Sequence, residues 1–176
     1  MAQTKPTTYC FVEGKEPLYL DHYRAEGEGA HPCVLFAFGG GFSHGNRADS
    51  RYMPYFEMLL SEGFDVVSID YRLGMKFTLD LNKELGPRKS AKAMYLAVNN
   101  AAEDVLRATE YIHRQAVKMG IDISRIVLSG SSAGAIAVLQ AEKHVVNRNR
   151  RAKILSADFN YAGVIAFAGA IYSVLS

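Results

Sequence analysis

The sequence predicts an α/β fold in which helices flank a mostly parallel β-sheet. Two observations indicate this class. Strand-like apolar runs alternate along the chain with helical segments, and most of those runs are apolar throughout, as strands buried on both faces are. A helix between two successive strands forms a right-handed βαβ unit and makes the strands parallel. No change of composition marks a second unit, so we expect a single domain over residues 1–176.

The chain begins with two short segments rich in β-forming residues, which are joined by the turn-like sequence EGKE. This pattern predicts an N-terminal hairpin within residues 1–24. The chain-breaking sequence GEGAHP then separates the hairpin from an α/β core over residues 32–176. The predicted core strands are the apolar runs at 33–38, 65–70, 125–129 and 161–171.

Three segments between these strands are predicted to be helices, at 50–62, 91–119 and 133–146. The second of them ends at Gly120, a residue that suits a helix C-terminus. It also contains two acid–base pairs at a spacing of four residues with the acid first, the order that favours ion pairing. These pairs are Glu103–Arg107 and Glu110–Arg114. Residues 71–89 contain Gly and Pro and show no period, which predicts a long loop.

The composition argues against several classes of protein. The formal net charge is only +2, which does not indicate a nucleic-acid-binding protein. The one dense basic stretch, residues 147–153, has no interleaved aromatic residues and is interpreted as a solvated helix end or loop. No apolar run approaches the length of a membrane span. The N-terminus shows no signal peptide. The sequence AQT after Met1 is, however, typical of what remains after a signal peptide is cleaved, so an exported and a cytoplasmic location both stay open.

The sequence GSSAG at residues 130–134 follows a predicted strand and precedes a predicted helix. In that setting a G-x-S-x-G pattern is typical of a nucleophile elbow, with Ser132 as the nucleophile. The turn must be very sharp, and the small residues Gly130 and Gly134 let strand and helix approach each other. The serine Oγ then projects at a helix N-terminus, where backbone N–H groups favour a developing negative charge. The alternative is a small-residue turn in which Ser132 only caps the helix.

A second unusual loop, FGGGFSHG, begins at the end of the predicted strand 33–38. Consecutive glycines let backbone N–H groups point into a site without side chains in the way. We interpret it as an oxyanion loop whose donors are the N–H groups of Gly40 and Gly41, completed by that of Ala133. A phosphate-binding loop is the rival interpretation, but Asn46–Arg47 stands where Lys–Ser/Thr is required, and the dinucleotide fingerprint also fails. A purely structural glycine turn is the third.

Together with SIDYRLG between them, the two motifs resemble those of the α/β-hydrolase superfamily. The closer likeness is to the bacterial carboxylesterase/lipase-like branch with a Gly-Gly-Gly oxyanion loop, and it covers nearly the whole chain. The resemblance implies the strand order 1-2-4-3-5-6 and structural roles for Asp70 and Arg72. That order puts Cys10 and Cys33 too far apart for a disulfide. Phe38 stands where many relatives have His, and it is a candidate lining residue of the acyl pocket.

The family's acid and base follow its seventh and eighth strands. Here the sixth predicted strand is the last one, so we expect an α/β-hydrolase fold truncated after the sixth strand. The only histidine after Ser132 is His144, which lies about 18 Å along the following helix. The only acids after the motif are Glu142 and Asp158, and neither follows a seventh strand.

Two further expectations concern an earlier histidine and the last strand. His44 lies near the site by its position in the loop, where it is a candidate displaced base; the alternative is a loop residue that faces solvent or contacts substrate. The remaining earlier histidines are interpreted as surface or packing residues; they are His22, His31 and His113. The strand at 161–171 has an open apolar edge, which invites pairing with another chain and therefore a homo-oligomer.

The sequence thus predicts a serine ester hydrolase that acts on small acyl or aryl esters through Ser132 and a backbone oxyanion hole. The chain as given lacks the family's acid and histidine, so the alternative is a catalytically inactive, truncated hydrolase fold that acts as a binding or assembly module. A nucleotide-binding α/β domain is disfavoured because both phosphate patterns fail. We expect no metal and no cofactor, and the expected partner is a small-molecule ester rather than a nucleic acid.

Overall fold

The computed structural model describes residues 5–76 and 86–171, which build one six-stranded sheet and its flanking helices. The strands, in chain order, are β1 Thr7–Val12, β2 Leu18–Tyr23, β3 His31–Ala37, β4 Asp65–Ile69, β5 Ile121–Ser131 and β6 Gly163–Phe167. The α-helices are α1 Met53–Ser61, α2 Pro87–Met119 and α3 Ala133–Val146. Short 3-10 helices cover Ser50–Tyr52 and Arg150–Ile154.

The strands lie in the order β1-β2-β4-β3-β5-β6, which confirms the order that the resemblance implied. β1 and β2 form the predicted antiparallel hairpin, and β2 also pairs antiparallel with β4. β4, β3, β5 and β6 run parallel to one another, so the sheet is mixed and its parallel part is the predicted core. Because parallel strands end at the same edge, the loops that follow β3 and β5 are brought together.

Two strands differ most in length from the sequence prediction, because of their tertiary partners, while the ends of β3 and β4 differ from it by one or two residues. β5 begins four residues earlier than predicted, since Ile121 pairs with His31 at the start of β3. β6 is shorter than predicted at both ends. Before the strand, the buried Tyr161 forms a hydrogen bond through its hydroxyl to Thr109 of α2. After the strand, Ala168 has a φ of 53°, which ends the extended conformation.

The helices match their predicted positions, with one extension. α2 begins at Pro87, four residues earlier than expected, and ends at Gly120, which takes the left-handed conformation (φ 67°). Arg24 closes this end of α2, because its Nη1 donates to the carbonyl oxygens of Met119 (2.9 Å) and Gly120 (3.2 Å). Part of the predicted long loop, residues 77–85, lies outside the described residues.

One of the two ion pairs predicted on α2 forms and the other does not. Glu110 and Arg114 approach to 2.6 Å, as expected. Glu103 instead accepts hydrogen bonds from Arg151 Nε at 2.8 Å and from Arg72 Nη2 at 3.3 Å. The prediction that Glu103 pairs with the arginine four residues on was therefore wrong, because two arginines from other parts of the chain occupy the carboxylate.

Asp70 and Arg72 tie neighbouring loops to the core, which confirms the structural roles that the resemblance implied. Asp70 accepts a hydrogen bond from the Arg47 guanidinium at 2.6 Å and so anchors the segment that follows the glycine-rich loop. Arg72 Nε donates to both oxygens of Asp104, at 2.9 and 3.0 Å, and Asp104 is fully buried on α2. The start of the loop after β4 is thereby fixed on two sides.

The two cysteines lie on strands that are not neighbours. Cys10 is on β1 and Cys33 is on β3, with β2 and β4 between them, and both are free thiols. Cys33 is fully buried, and burial raises the pKa of its thiol, so it behaves as a small apolar core residue.

Candidate active site

The turn between β5 and α3 places Ser132 at the junction of a strand and a helix. Its backbone angles are φ 50° and ψ −115°, a combination that residues with a side chain rarely adopt. Ser132 itself is exposed, whereas Gly130 and Ala133 on either side of it are buried. The turn therefore presents one serine hydroxyl at the surface above a tightly packed junction.

The two glycines that bracket Ser132 stand where no side chain would fit. A Cβ on Gly130 would lie 2.5 Å from the carbonyl carbon of Gly134. A Cβ on Gly134 would overlap the carbonyl oxygens of Ala37 and Phe38, at the end of β3. The start of α3 therefore reaches both β5 and β3 only because these two positions are glycine.

β6 and α1 support the strained turn from one side. The N–H of Ser132 donates to the carbonyl oxygen of Phe167 at 2.8 Å. The Phe167 ring meets the Tyr55 ring edge-on with their centroids 5.3 Å apart, and Tyr55 Oη lies 3.1 Å from Ser129 Oγ. The backbone of Ser132 is thus held by β6, whose last residue packs on α1.

The glycine-rich loop lies directly beside this turn. A Cβ on Gly39 would be 3.3 Å from the Cβ of Ser132, and the N–H of Gly39 donates to Tyr52 Oη at 2.9 Å. Gly40 has φ of 144°, and a Cβ there would overlap the carbonyl oxygen of His44. The two loops that the sequence places at the carboxyl ends of strands are therefore neighbours in space.

Three backbone N–H groups of the serine turn and the glycine-rich loop have no hydrogen-bond acceptor within the described ranges. They belong to Gly40, Gly41 and Ala133. The carbonyl oxygen of Gly40 accepts from the N–H groups of Ser43 and His44, at 3.0 and 3.2 Å, which closes the loop into a tight turn. Ala133 is in the first turn of α3, where the helix dipole adds partial positive charge. An unpaired backbone N–H group is able to donate a hydrogen bond to a negatively charged oxygen.

His44 lies beside the loop, and its tautomer follows from its neighbours. Ser43 Oγ donates to the Gly40 carbonyl oxygen at 3.0 Å and lies 2.9 Å from Nδ1 of His44. Because the hydroxyl proton is used toward Gly40, His44 Nδ1–H donates to Ser43 Oγ. No hydrogen bond joins this exposed histidine to Ser132.

The other histidines lie away from the serine turn. His22 and His31 both hydrogen-bond to the buried Asp65 at the start of β4, the end opposite the glycine-rich loop. His144 is near the far end of α3, as its position in the sequence predicted, and His113 packs beside the segment before β6. Within residues 5–76 and 86–171, no histidine or carboxylate forms a hydrogen bond with the serine hydroxyl.

An apolar cavity of about 240 Å³ adjoins the turn. Its lining residues are Phe36, Tyr52, Tyr55, Ser131 and Phe167. Phe38, the sequence candidate for an acyl pocket, is not one of them. It is buried and stacks on Tyr71 with ring centroids 4.4 Å apart, and Tyr71 Oη donates to its carbonyl oxygen at 2.8 Å. That expectation was wrong because the loop turns this side chain into the core.

Sequence reasoning missed the part that aromatic side chains play around the turn. The sequence predicts Tyr52 and Tyr55 only as part of the helix at 50–62, whereas their hydroxyls bond to the Gly39 N–H group and to Ser129 Oγ. A usable signal was present, because both tyrosines follow the glycine-rich loop closely and carry a polar group at the end of an apolar ring.

Two kinds of feature are absent from the described part of the chain. No group of three or more His, Cys, Asp or Glu side chains there is arranged to hold a metal ion. None of its helices is both long enough and apolar enough to cross a membrane.

The chain is similar to known proteins in sequence. The BD-FAE family model matches residues 20–80, which include the glycine-rich loop and α1. The fumonisin B1 esterase of Sphingopyxis macrogoltabida is 31% identical over 128 residues, which are 69% of this chain and 22% of that protein. The juvenile hormone esterase of Heliothis virescens is 28% identical over 127 residues, 71% of this chain and 20% of that protein. The chain thus spans about a fifth of the length of these curated relatives.

Solved structures resemble the chain in fold. The butyrate-bound structure of an esterase from Thermogutta terrifontis superposes with a TM-score of 0.67 at 19% identity, covering 96% of this chain and 55% of that one. The native structure of the same esterase has a TM-score of 0.59 at 21% identity and covers 77% of this chain and 43% of that one. At these identities the likeness concerns the arrangement of strands and helices.

Proposed function

Because the chain belongs to the α/β-hydrolase superfamily, on its esterase branch, we propose that it is a serine ester hydrolase with Ser132 as the nucleophile. The observation that carries this proposal is the strained, exposed Ser132, whose turn lies against a glycine-rich loop that has unpaired backbone donors. A backbone outlier of this kind is found where the chemistry needs one side chain in a fixed place.

In the proposed reaction, Ser132 Oγ attacks the acyl carbonyl carbon and forms a C–O bond. The carbonyl oxygen becomes an oxyanion, which accepts hydrogen bonds from the N–H groups of Gly40, Gly41 and Ala133. Collapse of this intermediate breaks the ester C–O bond, releases the alcohol and leaves an acyl-serine, which water then hydrolyses. A base takes the serine proton during the attack and returns it to the departing alkoxide, which leaves as the alcohol.

The proposed substrates are small acyl or aryl esters. The cavity beside the turn supports this choice, because its volume of about 240 Å³ lies below the range of about 300–1,000 Å³ typical of drug-sized ligands. Its walls are formed largely by aromatic rings, which suit a short acyl chain or a single ring.

Labelling with a fluorophosphonate tests the nucleophile. The Thermogutta terrifontis esterase 2 is recorded as phosphorylated by paraoxon and phosphonylated by sarin, so an organophosphorus probe suits this fold. We expect the probe to label Ser132, identified by peptide mass spectrometry, and to leave the Ser132→Ala variant unlabelled. Imidazole in the buffer provides an external base for the reaction.

A matched control is Ser61→Ala, which removes an exposed serine at the end of α1 and should label like the wild type. Equal labelling of the Ser132→Ala variant, or a label on another residue, would contradict the assignment. If hydrolysis of p-nitrophenyl acetate also shows no difference between the wild type and that variant, the alternative of an inactive fold that binds or assembles is favoured.

We also propose that the chain forms a homo-oligomer through β6. This strand lies at one edge of the sheet, and no described strand pairs with its outer side. Ile165 and Phe167 on it are 40% and 46% exposed, and an exposed apolar edge favours pairing with a second chain.

A further inference from the structure

A second cavity, of about 590 Å³, lies between α2 and the 3-10 helix that follows α3. It is lined by Glu103, Arg107, Arg150, Arg151 and Ile154. α3 begins beside Ser132 and runs for 14 residues, or about 21 Å, before the chain enters this 3-10 helix. The cavity is therefore at the opposite end of α3 from the candidate active site.

The lining of this cavity contains three arginines but only one carboxylate, that of Glu103. Glu103 accepts from Arg151 Nε at 2.8 Å, and its other oxygen accepts from Arg72 at 3.3 Å, so one negative charge is shared by two cations. Arg107 and Arg150 form no hydrogen bond and no ion pair with any residue of the described ranges. The buried Asp104 does interact with the charge of Arg107, but its carboxylate is already paired with Arg72 at 2.9 Å. The cavity thus has more positive charge than its own carboxylate can neutralise.

The nearby His144 is subject to the same positive potential. Burial lowers the pKa of His144, and the Arg151 guanidinium lowers it further, by more than Glu103 raises it. Asn149 contacts Nδ1 of this histidine, while Nε2 is buried without a hydrogen-bond partner in the described part of the chain. At His144, too, the positive charge of Arg151 thus outweighs the negative charge of Glu103.

We propose that this cavity binds the phosphoryl group of a phosphorylated ligand. The guanidinium group is planar and permanently charged, and it forms paired hydrogen bonds with phosphate oxygens. The two unpaired groups of Arg107 and Arg150 match the two charges of a phosphate dianion, whereas a single carboxylate would neutralise only one of them. Ile154, 48% exposed on the lining, offers apolar surface to the rest of the ligand.

Titration calorimetry with pyrophosphate and sedimentation with vesicles containing phosphatidic acid test the proposal on the intact chain. We expect binding that weakens as salt is added, because the attraction is between charges. Arg107→Gln and Arg150→Gln should each lower the affinity about tenfold or more. Arg114→Gln is the matched control on the same helix, because its guanidinium pairs with Glu110 outside the cavity.

The two ligands distinguish the source of the phosphoryl group. Binding of pyrophosphate supports a soluble phosphorylated ligand, and binding of vesicles alone supports a lipid headgroup. Absence of binding to both, or equal binding by the wild type and both glutamine variants, would overturn the proposal. Arg107 and Arg150 are exposed and unpaired, so the unfolding midpoints of these variants should match that of the wild type. Labelling of Ser132 is a separate measurement, and its outcome neither supports nor contradicts phosphate binding in this cavity.

Discussion

At the scale of single residues, the turn depends on Gly130 and Gly134, where no side chain fits, and on Ser132, whose backbone conformation is strained. A residue held in this sparsely populated backbone region costs about 1–3 kcal/mol, a sizeable part of the stability of a small domain. The hydrogen bond from Ser132 N–H to Phe167 and the close packing of Gly130 and Gly134 offset that cost. The strain therefore persists only because three elements converge on the turn.

Replacement of Gly134 by alanine tests this packing. The new Cβ would overlap the carbonyl oxygens of Ala37 and Phe38, which are backbone atoms that cannot rotate away. We expect the free energy of unfolding to fall by about 3 kcal/mol, in the upper range for overpacking, together with loss of probe labelling at Ser132. Urea denaturation and peptide mass spectrometry measure the two effects.

Gly163→Ala is the matched control for this experiment. A Cβ at Gly163 has no atom within 4 Å, so its free energy of unfolding should stay within about 0.5 kcal/mol of the wild type. A Gly134→Ala variant as stable as this control would show that α3 can move away from β3, and that the tight approach is not required.

At the scale of secondary-structure elements, one carboxylate joins three strands at the end of the sheet opposite the serine turn. Asp65 at the start of β4 accepts from His22 Nε2 of β2 at 2.7 Å and from His31 Nδ1 of β3 at 2.8 Å. It also accepts from the N–H of Ala25 at 2.9 Å, and Arg24 Nη1 lies 3.6 Å away. The antiparallel hairpin is thereby locked to the parallel part of the sheet.

These contacts make the stability depend on pH. Burial alone would raise the pKa of Asp65, but the hydrogen bonds from His22, Ala25 and His31 outweigh it, so the pKa lies below its ordinary value of 3.8. The stabilisation is therefore fully present above the unfolded-state pKa and is lost as the pH falls through the folded-state pKa. We expect the free energy of unfolding to begin to drop below about pH 5 and to keep dropping below pH 3.8, as urea denaturation at each pH can measure.

The Asp65→Asn variant separates the contribution of this carboxylate to the pH dependence of stability from that of the other titratable groups. The amide cannot accept from both histidines, so we expect a loss of about 3 kcal/mol at neutral pH and a smaller drop on acidification than in the wild type. Glu28→Gln removes an exposed carboxylate that has no hydrogen bond or ion pair in the described ranges, and it should behave like the wild type. An unchanged acid profile for Asp65→Asn would assign the pH dependence to other groups.

At the scale of the whole molecule, the exposed edge at β6 leads to a prediction about assembly. We expect sedimentation velocity to show a wild-type species larger than the monomer, and Ile165→Lys to shift it to the monomer, because a charge on an edge strand opposes pairing. Ile123→Lys makes the same change at a 41% exposed position of β5, away from that edge, and should leave the wild-type distribution. A wild type that stays monomeric across the concentration range would contradict the proposal.

Much of the architecture could be predicted because the signals for it are local. Buried strands are apolar runs, helices repeat every 3.6 residues, and the G-x-S-x-G pattern names the glycines that a sharp turn needs. The same reasoning placed the glycine-rich loop, which carries Gly40 and Gly41, beside the turn formed by Ser132 and Ala133, since loops at the carboxyl ends of parallel strands meet, and Gly39 of that loop lies against Ser132. The chemical roles of these residues remain predictions that labelling will test.

The sequence by itself determined the order and type of the elements and the two loops that build the candidate site, because periodicity and steric demand act within a few neighbouring residues. Tertiary structure alone decided which distant groups meet. It turned Phe38 into the core, gave Glu103 to Arg151 and Arg72, and left Arg107 facing a cavity. Charge pairing and ring packing depend on distances through space, and the spacing of residues along the chain does not specify those distances.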